Sequence, residues 1–179
     1  MEELRGNLIT LALVTDPFGE YDENFLRLCF QDVVIPFKEH YVVDLSQPID
    51  DIVSKHHRYY ARKALNEVQV QVCTVPSQFT EEWIALYDNL IERHEIKGIK
   101  AFSRTIFEEQ LNMPGLIMLR AVHQNIGVGA QLWFSQEEVG YNHLTAISET
   151  GYGLYASYAL QWYATRFFSD KVRWLDLGG

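Results

Sequence analysis

The chain has 179 residues, of which 47% are hydrophobic and 22% charged, a composition typical of a globular domain with a substantial core. Its net charge of −9 argues against general nucleic-acid binding. There are only two cysteines, the N-terminal segment lacks a signal-peptide pattern, and no apolar run reaches the roughly 20 residues of a membrane span. These features predict a cytoplasmic protein that does not contact a membrane.

The first 75 residues predict several short strands and one helix. A strand at 7–14 precedes a loop at 15–24 that is rich in Asp, Asn, Pro and Gly. A helix begins near Pro48, with acidic residues in its first turn and basic residues later, as the helix dipole favours. Strict alternation of Val with other residues predicts a strand at 68–75. Two weaker strands are predicted at 33–37 and 41–45.

Pro76 and Ser77 mark the best internal boundary, which divides the chain into residues 1–75 and 76–179. After this boundary, apolar residues at helical spacing predict a helix that follows Thr80 as its N-cap and ends near His94. A shorter helix is predicted at 103–111, with Ser103 as its N-cap.

Three strands joined by short turns then predict an antiparallel meander, at 115–122, 126–134 and 139–147. The sequence SETGYG (148–153) leads into a helix at 154–168 that is apolar nearly all round and therefore mostly buried. A last strand at 171–177 follows. Because a strand, a helix and a strand in this order form a crossover, the last strand should run parallel to the third strand of the meander.

The segment between the meander and the buried helix is the best candidate for a binding site. Backbone N–H groups at a helix N-terminus attract anions, and glycines allow a phosphate to approach closely. Gly151 and Gly153 occupy the positions that this geometry needs. The alternative is that the two glycines only loosen a connection.

This order of elements resembles the GNAT N-acyltransferase fold. In that family the loop after the fourth strand has the pattern Gln/Arg-x-x-Gly-x-Gly/Ala and binds the pyrophosphate of coenzyme A. Both glycine positions match here, whereas Ser148 stands at the first position and Glu149 adds an acid. The resemblance implies an α/β (α+β mixed) fold with a mostly antiparallel sheet, and acetyl-CoA or another acyl-CoA as co-substrate. The donor-binding residues that it implies are Ala146, Ile147, Ser148, Gly151, Tyr152 and Gly153.

A finer resemblance covers most of the chain. The segments YVVDLSQPIDDIVSKHHRYYARKAL (41–65), YNHLTAIS (141–148) and WLDLGG (174–179) are similar to FemAB-like (BioF2-like) acyltransferases. In that group two GNAT-like halves pair, so residues 1–75 would be a partial N-terminal half. The resemblance implies that WLDLGG ends in a turn and that further elements follow Gly179, which makes the chain a truncated enzyme.

Two side chains are candidates for the general base of acyl transfer to an amine. His143 lies on the third meander strand near the glycine segment, and its ordinary pKa suits proton transfer. Asp176 lies at the end of the last strand. For each, a structural role is the alternative. The six histidines lack metal-ligand spacing, so no metal is expected.

The predicted function is N-acyl transfer from acyl-CoA to an amine on a small molecule or peptide. Alternatives are an inactive GNAT-like binding module and a FemAB-type transferase that uses aminoacyl-tRNA. The acidic chain makes tRNA the less favoured donor. Lys55, Arg58 and Arg62 share a helix face that either attracts a phosphate or an acidic acceptor, or is simply solvated. A homo-oligomer is an open option.

Overall fold

A computed structural model describes residues 10–98 and 102–179. The chain divides into two compact units, residues up to His40 with Gly179 and residues Tyr41–Gly178. In the first unit, helix α1 (Glu23–Cys29) begins at Asp22, whose side chain accepts the Asn24 N–H, and buries none of its residues.

The strands predicted in the first unit are wrong where the structure describes them. Residues 10–14 and 33–37 form no strand, and residues 7–9 lie outside the described residues. Leu13, Val33 and Ile35 are 65–70% exposed, so these apolar side chains have no sheet face on which to pack. An apolar run therefore indicated a strand where the described residues supply no partner strand.

The second unit contains a six-stranded sheet in the order β1-β6-β5-β4-β3-β2. Four neighbouring pairs are antiparallel, and β5 and β6 are parallel, as the predicted crossover requires. The predicted fold class, with a mostly antiparallel sheet flanked by helices, is confirmed. The strands are β1 (Val42–Asp44), β2 (Gln69–Cys73), β3 (Ile117–His123), β4 (Ile126–Gln136), β5 (Val139–Ile147) and β6 (Trp174–Asp176).

The predicted meander is formed by β3, β4 and β5. The β3–β4 turn is made by Gln124 and Asn125, both with positive φ, which is the backbone that two-residue hairpins favour. The limits predicted for β5 agree with the structure, and those of β3 and β4 differ by at most two residues at either end.

Helices cover both faces of the sheet. They are α2 (Ile49–Ile52), α3 (Lys55–Leu65), α4 (Thr80–His94), α5 (Arg104–Leu111), α6 (Glu149–Gly153) and α7 (Ala156–Phe168). The helix predicted from Pro48 is split in two because the Ser54 side chain accepts the His57 N–H and begins a new helix. Thr80 is not an N-cap, since a 3-10 turn (Pro76–Phe79) runs directly into α4. Ser103 does cap α5.

Each face of the sheet has its own core. One core surrounds α7 and includes Trp133 and Phe168, whose rings are 5.1 Å apart. The other surrounds α4 and α5 and includes Trp83 and Phe107. Because α7 buries six of its residues, the prediction of a mostly buried helix is confirmed.

Candidate active site

Strand β5 pairs with β6 only over its first three residues, because β6 is three residues long. Val139, Gly140 and Tyr141 pair with the three residues of β6, after which β5 continues to Ile147 with β4 alone beside it. The carboxyl ends of parallel strands are where sheets of this kind bind ligands. The separation of β5 from β6 therefore leaves one backbone edge of β5 without a strand partner next to the predicted donor segment.

His143 is the extra residue of a β-bulge at this opening. Leu132 of β4 pairs with Leu144 and Trp133 pairs with Asn142, so His143 has no residue opposite it. Its ring packs edge-on against Phe134, at 5.6 Å between ring centroids. Although the residue is exposed, the surrounding protein atoms desolvate the imidazole and lower its pKa below 6.5. At neutral pH this imidazole is neutral and can accept a proton.

Asp176 lies on the other side of the opening. The β5–β6 register places it beside Tyr141, two residues before His143. Asp176 is 4% exposed, and its Oδ1 accepts the N–H of Gly178 at 2.8 Å. Gly178 has a φ of 79°, which favours glycine. The carboxylate thus holds the turn that follows β6, and the structure brings both predicted catalytic side chains to the same end of the β5–β6 pair.

The predicted glycine loop is a short helix, α6. Ser148 is its N-cap, since its hydroxyl accepts the Gly151 N–H at 3.1 Å and donates to the Val128 carbonyl at 3.0 Å. A Cβ at Gly151 would lie 2.0 Å from the same carbonyl oxygen, whereas a Cβ at Gly153 would meet no protein atom within 4 Å. Close packing on β4 therefore requires Gly151, and only Gly153 faces open space.

The other predicted donor-binding residues contribute in different ways. Ala146 and Ile147 are buried, with side chains in the two cores on opposite faces of the sheet, so only their backbone can face the opening. Tyr152 is half-buried and lies beneath the guanidinium of Arg93, whose Cζ is 4.1 Å from the ring centroid.

Arg93, at the end of α4, is a site residue that the sequence reasoning missed. Its Nη1 donates to Oε2 of Glu149 at 2.7 Å, so the charge of the acid that follows Ser148 is compensated by a cation from another helix. The two residues are 56 positions apart, and no local pattern signals their contact.

Among residues 10–98 and 102–179, no three His, Cys, Asp or Glu side chains cluster as metal ligands would. Over the same residues, no helix has both the length and the apolar character needed to traverse a bilayer.

Comparison with solved structures decides the fold. The C-terminal domain of a protein described as a lysylphosphatidylglycerol synthetase, from Agrobacterium fabrum, matches with a TM-score of 0.60 and 9% identity over 78% of this chain. FemX matches with a TM-score of 0.60 and 10% identity over 78% of this chain. L-PGS from Bacillus licheniformis matches with a TM-score of 0.58 and 16% identity over 78%. The fold is GNAT-like.

The matched region covers 45%, 52% and 45% of those three chains, so this chain spans about half the length of the solved proteins it matches. No family model matches the sequence, and no curated protein matches it. At these identities the comparisons establish the GNAT-like fold alone. The assignment of the β5–α6 segment to donor binding stays a prediction.

Proposed function

We propose that the chain is an N-acyltransferase of the FemAB-like branch that moves an acyl group, acetyl foremost, from acyl-CoA to an amine. The observation that carries this proposal is the opening between β5 and β6, which has the His143 bulge beside it and the α6 turn at one end. The proposal combines the GNAT-like fold with a neutral imidazole at the point where the two strands separate.

In the proposed complex, the donor lies along the unpaired edge of β5. The backbone of Ala146 and Ile147 binds the amide groups of the pantetheine arm, and the phosphates lie at the α6 turn near Ser148 and Gly153. Gly153 leaves room for such an approach because no protein atom lies within 4 Å of its Cβ position. The exposed backbone edge supplies hydrogen-bond donors and acceptors, so binding acyl-CoA there needs no particular side chain. This is consistent with the absence of a diagnostic sequence motif.

The reaction needs one base and one oxyanion site. The amine nitrogen attacks the thioester carbonyl carbon, its proton passes to Nδ1 or Nε2 of His143, and coenzyme A leaves as the thiolate. Backbone N–H groups at the bulge stabilise the negative oxygen that forms in between. Asp176 takes a positioning role in this scheme, because its carboxylate holds the turn at Gly178.

His143 should determine the acid limb of the pH profile. Desolvation lowers its pKa, so the neutral, proton-accepting form persists below pH 6.5, and kcat/KM should fall only as pH drops through that lowered pKa. His143→Gln should reduce kcat by about 100-fold or more and remove this limb. The check is an acetyl-transfer assay on an amine panel from pH 5 to 8. An unchanged profile in the variant would exclude His143 as the base.

Isothermal titration with acetyl-CoA tests donor binding itself. The wild-type chain should bind acetyl-CoA, and Gly153→Asp should weaken binding about tenfold because it places a carboxylate at the phosphates, at a position where a Cβ has open space. Equal melting temperatures would show that the variant is folded. Absence of binding to the wild-type chain would refute the acyl-CoA proposal.

The alternative of an inactive binding module has one observation in its favour. The Glu149 carboxylate lies in the first turn of α6, where the donor phosphates are placed, and is held there by Arg93. Acetyl-CoA binding without acetyl transfer to any amine would support this alternative. Binding of aminoacyl-tRNA in place of acetyl-CoA would instead support the FemAB-type transferase.

A further inference from the structure

Helix α3 concentrates positive charge in an acidic protein. Its sequence, KHHRYYARKAL, contains four Lys or Arg residues and no acid, whereas the whole chain has 24 acidic and 15 basic residues. Arg58 is bound to Asp50 and is therefore not available to a ligand. Arg62 and Lys63 are exposed, and no carboxylate of the described residues pairs with either of them.

These free cations differ from most arginines of the protein. Besides Arg58, five arginines of the described residues contact a carboxylate: Arg27, Arg93, Arg104 and Arg173, which are exposed, and Arg120, which is buried. Two adjacent cations without such partners leave a local positive field that attracts an external anion.

Aromatic rings surround the two cations. Tyr59 is 62% exposed and packs edge-on against Tyr60, at 5.2 Å between ring centroids. Tyr59 lies in one wide-open surface region of α3 and its C-cap, called the groove below, which it lines with Arg62, Lys63, Leu65 and Asn66. An exposed ring beside cations is the arrangement on which a nucleobase stacks while its phosphates are neutralised.

The groove adjoins the α6 turn. The Nζ atom of Lys63 lies 4.6 Å from the ring centroid of Tyr155, and Tyr60 packs on the same ring at 4.7 Å. Tyr155 is the left-handed residue that connects α6 to α7, two positions after Gly153. A ligand with phosphates at the α6 turn could therefore continue onto α3 across this ring.

We propose that the groove formed by Tyr59, Arg62 and Lys63 binds the phosphorylated adenosine of the acyl donor, with Tyr59 stacked on the adenine and the two cations at the 3′-phosphate. This inference rests on the proposed function, because it assigns the nucleotide end of acyl-CoA. It makes α3, outside the 76–179 segment, part of the donor site.

The test compares three probes by isothermal titration: coenzyme A, dephospho-CoA, which lacks the 3′-phosphate, and S-acetyl-4′-phosphopantetheine, which lacks the nucleotide. The double variant Arg62→Gln/Lys63→Gln should bind coenzyme A about 10- to 100-fold more weakly and phosphopantetheine equally. The wild-type chain should prefer coenzyme A over dephospho-CoA. Tyr59→Ala should weaken binding of both nucleotide probes by about tenfold.

The matched control is Arg166→Gln/Lys171→Gln, which removes the same charge from the last turn of α7 and the turn that follows it, and should leave coenzyme A affinity unchanged. An equal loss of coenzyme A affinity in both double variants would overturn the inference, since only net charge would matter.

If the wild-type chain binds phosphopantetheine but the nucleotide adds no affinity, the inference alone fails. If it binds none of the probes, the proposed function fails as well. Binding of a short RNA ending in CCA through these residues, with coenzyme A unaffected, would assign the groove to RNA and overturn the inference.

Discussion

Replacing Glu82 by alanine is expected to destabilise the protein by about 3–5 kcal/mol, because it leaves a buried arginine without its partner. The side chain of Arg120 is 9% exposed, and its Nε and Nη2 donate to the two oxygens of Glu82 at 2.7 and 2.6 Å. Its Nη1 donates to Gln71 at 2.9 Å, and its Cζ lies 3.6 Å from the ring centroid of Phe79. The guanidinium therefore joins α4 to β2 and β3.

The neighbouring residue gives a matched control. Glu81 pairs with Arg104, but both side chains are more than half exposed, so Glu81→Ala should destabilise the protein much less than Glu82→Ala does. Urea denaturation of both variants measures the difference. Equal losses would show that the Arg120–Glu82 pair is no stronger than a surface pair. Glu82→Leu combined with Arg120→Met should recover much of the stability, since no buried charge then lacks a partner.

Gly151→Ala is expected to destabilise the protein by about 3 kcal/mol, because the new methyl group would meet the Val128 carbonyl oxygen at 2.0 Å. That oxygen already accepts the Ser148 N–H and hydroxyl, so it cannot move away without breaking both hydrogen bonds. Helix α6 would have to separate from β4. The measurement is the free energy of unfolding by urea.

Gly153→Ala is the control for this effect. It adds the same methyl group to the same short helix, in open space and with ordinary φ, so its stability should be unchanged or increase by about 1 kcal/mol through helix propensity. Comparable losses in the two variants would mean that α6 does not pack on β4 as described. Because Gly151 variants lose stability, any loss of donor binding in them would not identify a phosphate site.

The meander and the crossover could be predicted because their signals are local. Alternation marks β4, polar residues mark the β3–β4 turn, and an all-round apolar helix marks α7. The strands expected at 7–14 and 33–37 were as rich in apolar residues as the meander strands. A strand also needs a neighbouring strand to pair with, and sequence alone does not show whether one is present.

The sequence predicted the elements that carry the candidate residues but not the contacts of these residues. His143 was correctly placed on β5 before the glycine segment, yet its bulge depends on the register between β4 and β5, which neither strand encodes alone. Likewise, Gly151 and Ser148 looked like parts of a phosphate loop, and their contacts with Val128 became visible only when β4 was in place. The pairing of Arg93 with Glu149 has the same non-local origin.

The position of β1 at one edge of the sheet has a consequence for folding during synthesis. Its partner β6 lies about 130 residues later in the chain. At ribosomal rates of about 5–20 residues per second, β1 waits roughly ten seconds before β6 can pair with it. The consecutive strands β2 to β5 can pair in the meantime, because their contacts are local. We expect the edge strand that is made first to be the last to join the sheet.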